Sequence, residues 1–164
     1  GASNFSAERL LKSLDEAAEK NLPAYEVFQP EYNLMVRDRF EGEIKEICTR
    51  NNLGVIPYFS LASGFLTGKY RTKKDFEGKE RKMFADKFLN NRGKKILESL
   101  DKISEKHDVS QAALALAWLI NRPGVSAPIA SATKSSHLKS FTEAVKISLS
   151  NEDMEILNKA SETE

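Results

Sequence analysis

Apolar and polar positions alternate along the chain in two rhythms. Short segments at residues 25–29, 55–60 and 126–131 read as strands, bounded by turn-forming residues. Between them, apolar side chains return at helical spacing and form one-sided stripes. The first five residues, Gly1-Ala2-Ser3-Asn4-Phe5, read as the end of a strand whose beginning is missing. Ser6 then caps a helix to about Lys20, with Leu10, Leu11, Leu14, Ala17 and Ala18 on one face, and Asn21-Leu22-Pro23 ends it. A second helix over residues 39–52 carries the stripe Phe40, Ile44, Ile47 and Cys48. A long helix over residues 84–107 turns Phe88, Leu89, Ile96, Leu97, Leu100 and Ile103 inward. Ser110 caps residues 111–121, whose Ala-Leu-Ala-Leu-Ala-Trp-Leu-Ile run is buried on most sides, and Arg122-Pro123-Gly124 stops it. One more helix covers residues 135–145, and Ser150-Asn151-Glu152-Asp153 resembles a capping box opening a short terminal helix.

Strands alternating with helices predict a parallel sheet with crossover connections, an α/β protein forming a single domain over residues 1–164. No Gly-x-Gly-x-x-Gly follows any strand, which counts against a Rossmann domain, and no repeat is short enough for a solenoid. The chain has 164 residues, 40% hydrophobic and 30% charged, with a net charge of +1. That balance gives no electrostatic reason to expect nucleic acid or a membrane surface as partner. Residues 69–82 are locally basic, yet Asp75, Glu77 and Glu80 lie among them, as in a solvated loop.

The lone cysteine, Cys48, excludes an intrachain disulfide and suggests a reducing compartment; on an apolar stripe it reads as a small core residue rather than a nucleophile. The two histidines, His107 and His137, have no partners at ligand spacing, so a zinc site is not expected. No apolar run is long enough to span a membrane and no signal sequence is visible, so the expectation is a soluble cytoplasmic protein.

Chemistry gathers at the strand ends. The first offers Ser3 and Asn4, the second Gln29, the third Tyr58 followed by Phe59, Ser60, Leu61, Ala62, Ser63 and Gly64, and the last Ser131, Thr133 and Lys134. In a parallel sheet these ends face one side, and in barrels that side binds ligands. Ser, Asn and Gln can hydrogen-bond a carboxamide, an aromatic ring can stack on a flat heterocycle, and small-residue loops admit a pyrophosphate. Ordinary loops have the same composition, and Tyr58 equally suits a residue covering the core.

Five segments in register resemble successive signatures of the aldo-keto reductases: Gly1-Ala2-Ser3-Asn4-Phe5; Gln29-Pro30-Glu31-Tyr32-Asn33-Leu34; residues 54–64, Gly-Val-Ile-Pro-Tyr-Phe-Ser-Leu-Ala-Ser-Gly; Leu66-Thr67-Gly68-Lys69-Tyr70; and Pro128-Ile129-Ala130-Ser131-Ala132-Thr133. They span the chain nearly end to end. The resemblance implies a (β/α)₈ TIM barrel, of which this chain would supply strands five to eight, and NADPH as cofactor. It further implies that Ser3, Asn4 and Gln29 hold the nicotinamide carboxamide while Tyr58 stacks on its ring. Phe59, Ser60, Leu61, Ser63 and Gly64 belong to the loop that would wrap the pyrophosphate. Ser131, Thr133 and Lys134 would face the adenosine phosphate, with Lys134 the candidate cation for a 2′-phosphate. His137 and Phe141 stand where other members carry polar or charged adenine contacts, which leaves the preference for NADP over NAD open.

The family's catalytic Asp, Tyr, Lys and His precede the Gly-x-Ser-Asn-Phe motif, and none of Tyr25, Tyr32, Tyr58 or Tyr70 matches the proton-donating tyrosine. The expectation is the cofactor-binding C-terminal portion of an NADPH-dependent carbonyl reductase, a half-barrel fragment inactive alone. It would take a small-molecule carbonyl substrate only when completed by a first half. The alternatives are a non-enzymatic nucleotide-binding or regulatory half-barrel, or a structural fragment without function of its own. Four strands cannot close a small barrel, so self-association, such as a swapped dimer, is also expected.

Overall fold

The computed structural model describes residues 1–76 and 85–163. Three short parallel strands, β1 (Ala2–Ser3), β2 (Val27–Gln29) and β3 (Gly54–Val55), lie side by side in chain order. Helix α1 (Ala7–Glu19) connects the first pair and α2 (Glu43–Arg50) the second. After β3 come α3 (Asn91–His107), α4 (Gln111–Ile120), α5 (Leu138–Lys146) and α6 (Asn151–Ala160), with single-turn 3₁₀ segments between them.

Local chemistry accounts for the helix starts. The side chains of Ser6, Asn90, Ser110 and Ser150 each accept the backbone N–H three residues on, satisfying one of the four donors every helix leaves open. At α6 the box is closed in both directions, because the Ser150 N–H donates to Asp153 Oδ2 at 3.0 Å.

Register decides the faces of the sheet. Ala2 stands opposite Phe28, and Phe28 opposite Val55, so all three project to one face. That face is buried against the helices, while Ser3 on the other is exposed and Val27, Gln29 and Gly54 are only half covered. The core continues through α4, which is buried from Ala112 to Leu119, and joins Trp118, Tyr32, Phe40 and Phe65 to the sheet.

Several elements differ from the expectation. The run at residues 126–131 is not a strand. Val125 forms one parallel bridge to Val55, and the Ser126 and Ile129 N–H groups donate to the carbonyls of Val55 (2.8 Å) and Pro57 (3.0 Å). Pro128 has no N–H to continue such a ladder. For the same reason β3 ends before Pro57, although single bonds carry the pairing on as far as Tyr58, whose N–H reaches the Pro30 carbonyl at 2.9 Å.

The long helix starts at Asn91, after a separate turn at Asp86–Phe88; Phe84, its expected start, and part of the basic loop lie outside the described residues. Helix α2 starts at Glu43, because Gly42 takes φ 108°, outside helical space. On α1, Leu11 is 42% exposed, so the apolar face is narrower than its composition suggests.

Candidate functional site

The C-terminal ends of the strands bring four expected residues together. The Ser3 hydroxyl donates to the Gln29 carbonyl at 2.8 Å, across the β1–β2 pair. The Tyr58 hydroxyl donates to Asn4 Oδ1 at 2.8 Å, which fixes the phenol over the end of β1. Among the described residues, neither the Asn4 Nδ2 nor the Gln29 side-chain amide has a hydrogen-bond partner. The Asn4 amide N–H groups and the Gln29 carboxamide are thus free to bond a ligand beside a held aromatic ring.

The following loop adopts an unusual backbone. Phe59, Ala62 and Ser63 have φ values of 53°, 47° and 56°, and Gly64 has 89°. Each non-glycine residue in this left-handed region costs about 1–2 kcal/mol, so surrounding contacts must hold it there. Buried Asn33 supplies one such contact. Its Nδ2 donates to the Phe59 carbonyl at 3.0 Å, while its Oδ1 accepts the Met35 and Val36 N–H groups at 2.8 and 3.0 Å. Ser60 supplies another: its hydroxyl lies 2.8 Å from the Ile129 carbonyl and 3.2 Å from that of Pro57. Ser60 is therefore a tie between two loops, its hydroxyl engaged within the protein.

The two loops wall a cavity of about 890 Å³. Phe59, Leu61, Ser63 and Gly64 of the first loop line it, with Ile129, Ala130, Ser131 and Thr133 of the second and His137, Ser140 and Phe141 of the segment that follows. Of the twelve expected residues, seven line this cavity, and Ser3, Asn4, Gln29 and Tyr58 cluster at the sheet ends. Lys134 is exposed and is not part of the wall.

The cation that does line the cavity is Lys69, which the sequence reading left in a solvated loop. A Cβ built on Gly64 would come within 3.2 Å of the Lys69 Cε and Nζ. The ammonium lies against the loop, 4.9 Å from the Tyr70 ring centroid, and the φ of 89° at Gly64 is what calls for glycine there. Among the described residues no carboxylate pairs with Lys69. The signal for it was available in Thr67-Gly68-Lys69, directly after the small-residue loop.

The other three tyrosines do not line the cavity. Tyr32 is 1% exposed, donates to Glu41 Oε1 at 2.6 Å and accepts from Arg122 Nε at 2.8 Å. Burial, with the Glu41 bond, holds its phenol protonated well above the usual tyrosine range. Tyr70 is buried, and Tyr25 packs edge-on against Phe5 at 5.9 Å. No three His, Cys, Asp or Glu residues among those described gather at metal-binding distance. No described helix is long and apolar enough to cross a membrane.

A parallel sheet with flanking helices, its strand ends followed by small-residue loops that wall a cavity, is the arrangement of an α/β protein of the ligand-binding barrel or doubly wound type. The chain belongs to the aldo/keto reductase family, whose model matches residues 1–162. It is 31% identical over 152 residues to a probable voltage-gated potassium channel subunit beta of Arabidopsis thaliana, covering 90% of this chain and 46% of that protein. It is 30% identical over 162 residues to the aldo-keto reductase YhdN of Bacillus subtilis, covering 96% and 47%. An L-glyceraldehyde 3-phosphate reductase of Escherichia coli O157:H7 is 27% identical over 161 residues, covering 94% and 46%. The chain thus spans about half the length of the curated relatives it matches. The family implies a (β/α)₈ barrel, and an open three-stranded parallel sheet with flanking helices is consistent with an incomplete one.

Proposed function

We propose that this chain is the cofactor-binding C-terminal portion, strands five to eight, of an NADPH-dependent aldo-keto reductase that converts an aldehyde or ketone to an alcohol. The observation that carries this reading is the link between the strand-end residues and the cavity. Tyr58, bonded to Asn4, packs with its ring centroid 5.2 Å from that of Phe59, which lines the cavity of about 890 Å³ together with Lys69. That volume falls in the range of small-molecule and cofactor sites, about 300–1,000 Å³.

In this reading Asn4 and Gln29 hold the carboxamide, and Tyr58, oriented by Asn4, packs on one face of the nicotinamide. The loop from Phe59 to Gly64 and Lys69 hold the pyrophosphate. Ser131, Thr133 and Lys134 face the adenosine phosphate, where a lysine favours a 2′-phosphate through its charge. When bound, the cofactor supplies the hydride that reduces the carbonyl carbon. The family resemblance assigns the proton donor to a first half of the barrel, so in this reading these 164 residues bind cofactor without turning over substrate.

The test is a titration of the chain with NADPH, followed by cofactor fluorescence, beside one with NADH. Saturable binding with NADPH the tighter is expected, together with no aldehyde-dependent loss of NADPH absorbance. Absence of binding at millimolar cofactor overturns the reading.

A second reading is a non-enzymatic nucleotide-binding or regulatory module. Likeness to a protein named as a probable channel subunit favours it. Supplying a first half from a full-length relative separates the two: carbonyl reduction by the combined protein supports the enzyme.

A further inference from the structure

One part of the cavity is built unlike the rest. If the nicotinamide lies at the strand ends and the pyrophosphate along the loops, as proposed, the second base of a dinucleotide is left the part of the cavity lined by Leu61, His137, Ser140 and Phe141. This placement rests on the function proposed above.

The polar groups of that wall are already engaged. Ser140 Oγ is 3.0 Å from Ser110 Oγ, which also bonds Glu143 Oε2 at 2.9 Å and accepts the Ala113 N–H at 3.2 Å. The Glu143 carboxylate takes the Ser110 N–H at 3.2 Å as well, and its other oxygen pairs with Lys139 at 3.5 Å. What the wall offers instead is apolar surface. Leu61 and Phe141 both pack on the cluster Ala113, Leu116 and Ala144, and both line the cavity.

The remaining polar side chain there is His137, which is exposed and makes no side-chain hydrogen bond among the described residues. A neutral imidazole carries one donor and one acceptor, and rotation or tautomer exchange lets it serve either an amino or an oxo group.

We propose that this chain holds the purine of its dinucleotide by stacking on Phe141, backed by Leu61, and does not read the purine's 6-substituent. Every purine has the same π-face, whereas a site built to hydrogen-bond an amino group would leave buried partners unmatched when that group is replaced. Nicotinamide hypoxanthine dinucleotide phosphate, in which the adenine amino group is an oxo group, should therefore bind as NADPH does.

The experiment is a pair of titrations of the wild-type chain with the two reduced dinucleotides, followed by cofactor fluorescence and by calorimetry. Dissociation constants within about fivefold of each other are expected, since a discriminating neutral hydrogen bond is commonly worth up to about tenfold. A larger preference for NADPH overturns the inference while leaving the cofactor reading intact. Failure of both to bind overturns both. Phe141→Ala should weaken the two ligands equally, by about tenfold, the loss expected for one stacking partner; unchanged affinity overturns the stacking role. Phe141→Leu keeps the packing on Ala113 and Ala144 but removes the π-face. It should show the same equal loss with wild-type circular dichroism and melting, and wild-type affinity in this variant would equally refute the role.

Discussion

Replacing Asn33 with alanine tests how the cofactor loop is held. Asn33 is fully buried and makes three bonds, two that close its own turn and one that reaches the Phe59 carbonyl 26 residues away. In Asn33→Ala the Val36 N–H keeps a partner, the Asn33 backbone carbonyl at 3.0 Å. The buried Met35 N–H loses its acceptor, and the Phe59 carbonyl loses its donor. A buried unpaired group costs about 1–3 kcal/mol, and the Phe59 carbonyl, on an exposed residue, can partly recover through water, so the sum is about 2–4 kcal/mol. For a domain of this size that corresponds to about 4–16 °C in melting temperature.

The functional effect is separate. Once released, Phe59 gains about 1–2 kcal/mol by leaving its left-handed conformation, which displaces Tyr58 and Ser60 on either side. NADPH affinity should fall by about tenfold, the equivalent of 1.4 kcal/mol. Urea unfolding gives the first quantity and cofactor fluorescence the second.

Asn33→Asp sharpens the test, because it keeps both turn acceptors and removes only the donor to Phe59. Stability within about 0.5 kcal/mol of wild type and unchanged affinity in Asn33→Ala would refute the reasoning.

Four further outcomes are expected. Asp153 is buried, which pushes its carboxyl up, but bonds from Lys106, His107 and Ser150 outweigh this and hold it well below the usual carboxylate range. A depressed folded-state pKa stabilises above the unfolded value, about 3.9, and that stability is lost as pH falls below it; the acid limb of urea stability should flatten in Asp153→Asn, and an unchanged limb would contradict the assignment. Glu41 accepts from Tyr32, Arg37 and Arg122 and so joins the turn after β2 to the end of α4; Glu41→Ala should cost about 2–4 kcal/mol in urea unfolding, more than Tyr32→Phe, because it removes the carboxylate that pairs with both guanidinium groups. Burial pushes the Cys48 thiol up to about 11, so a disulfide reagent at pH 8 should modify it only on unfolding, and rapid labelling of the native protein would disprove its burial. The half-covered sheet face and the β1 edge should drive self-association, so a compact monomer in light scattering at all concentrations would count against an incomplete barrel.

Much of the fold was legible because its signals are local. Ser6, Ser110 and Ser150 cap the helices they precede, and each does so through a bond spanning three residues. The stripe of α3 buries Ile96, Leu97, Leu100 and Ile103 as its spacing implied. Strand extents were less legible, since a ladder needs a neighbour to pair with. Residues 126–131 have strand composition, but Pro128 and a single partner strand leave them as an irregular edge.

The site divides in the same way. By itself the sequence determined the order of elements, the helix caps and the gathering of small and polar residues at strand ends, because these depend on steric and hydrogen-bonding preferences within a few residues. Only the tertiary structure decided how those residues are used. Tyr58 meets Asn4 across 54 residues, and Ser60 ties its loop to Ile129 across 69, leaving Lys69 along the cavity and Lys134 off its wall. Such contacts form only after the chain has closed long loops around a shared core, and no local pattern encodes which partners that closure will bring together.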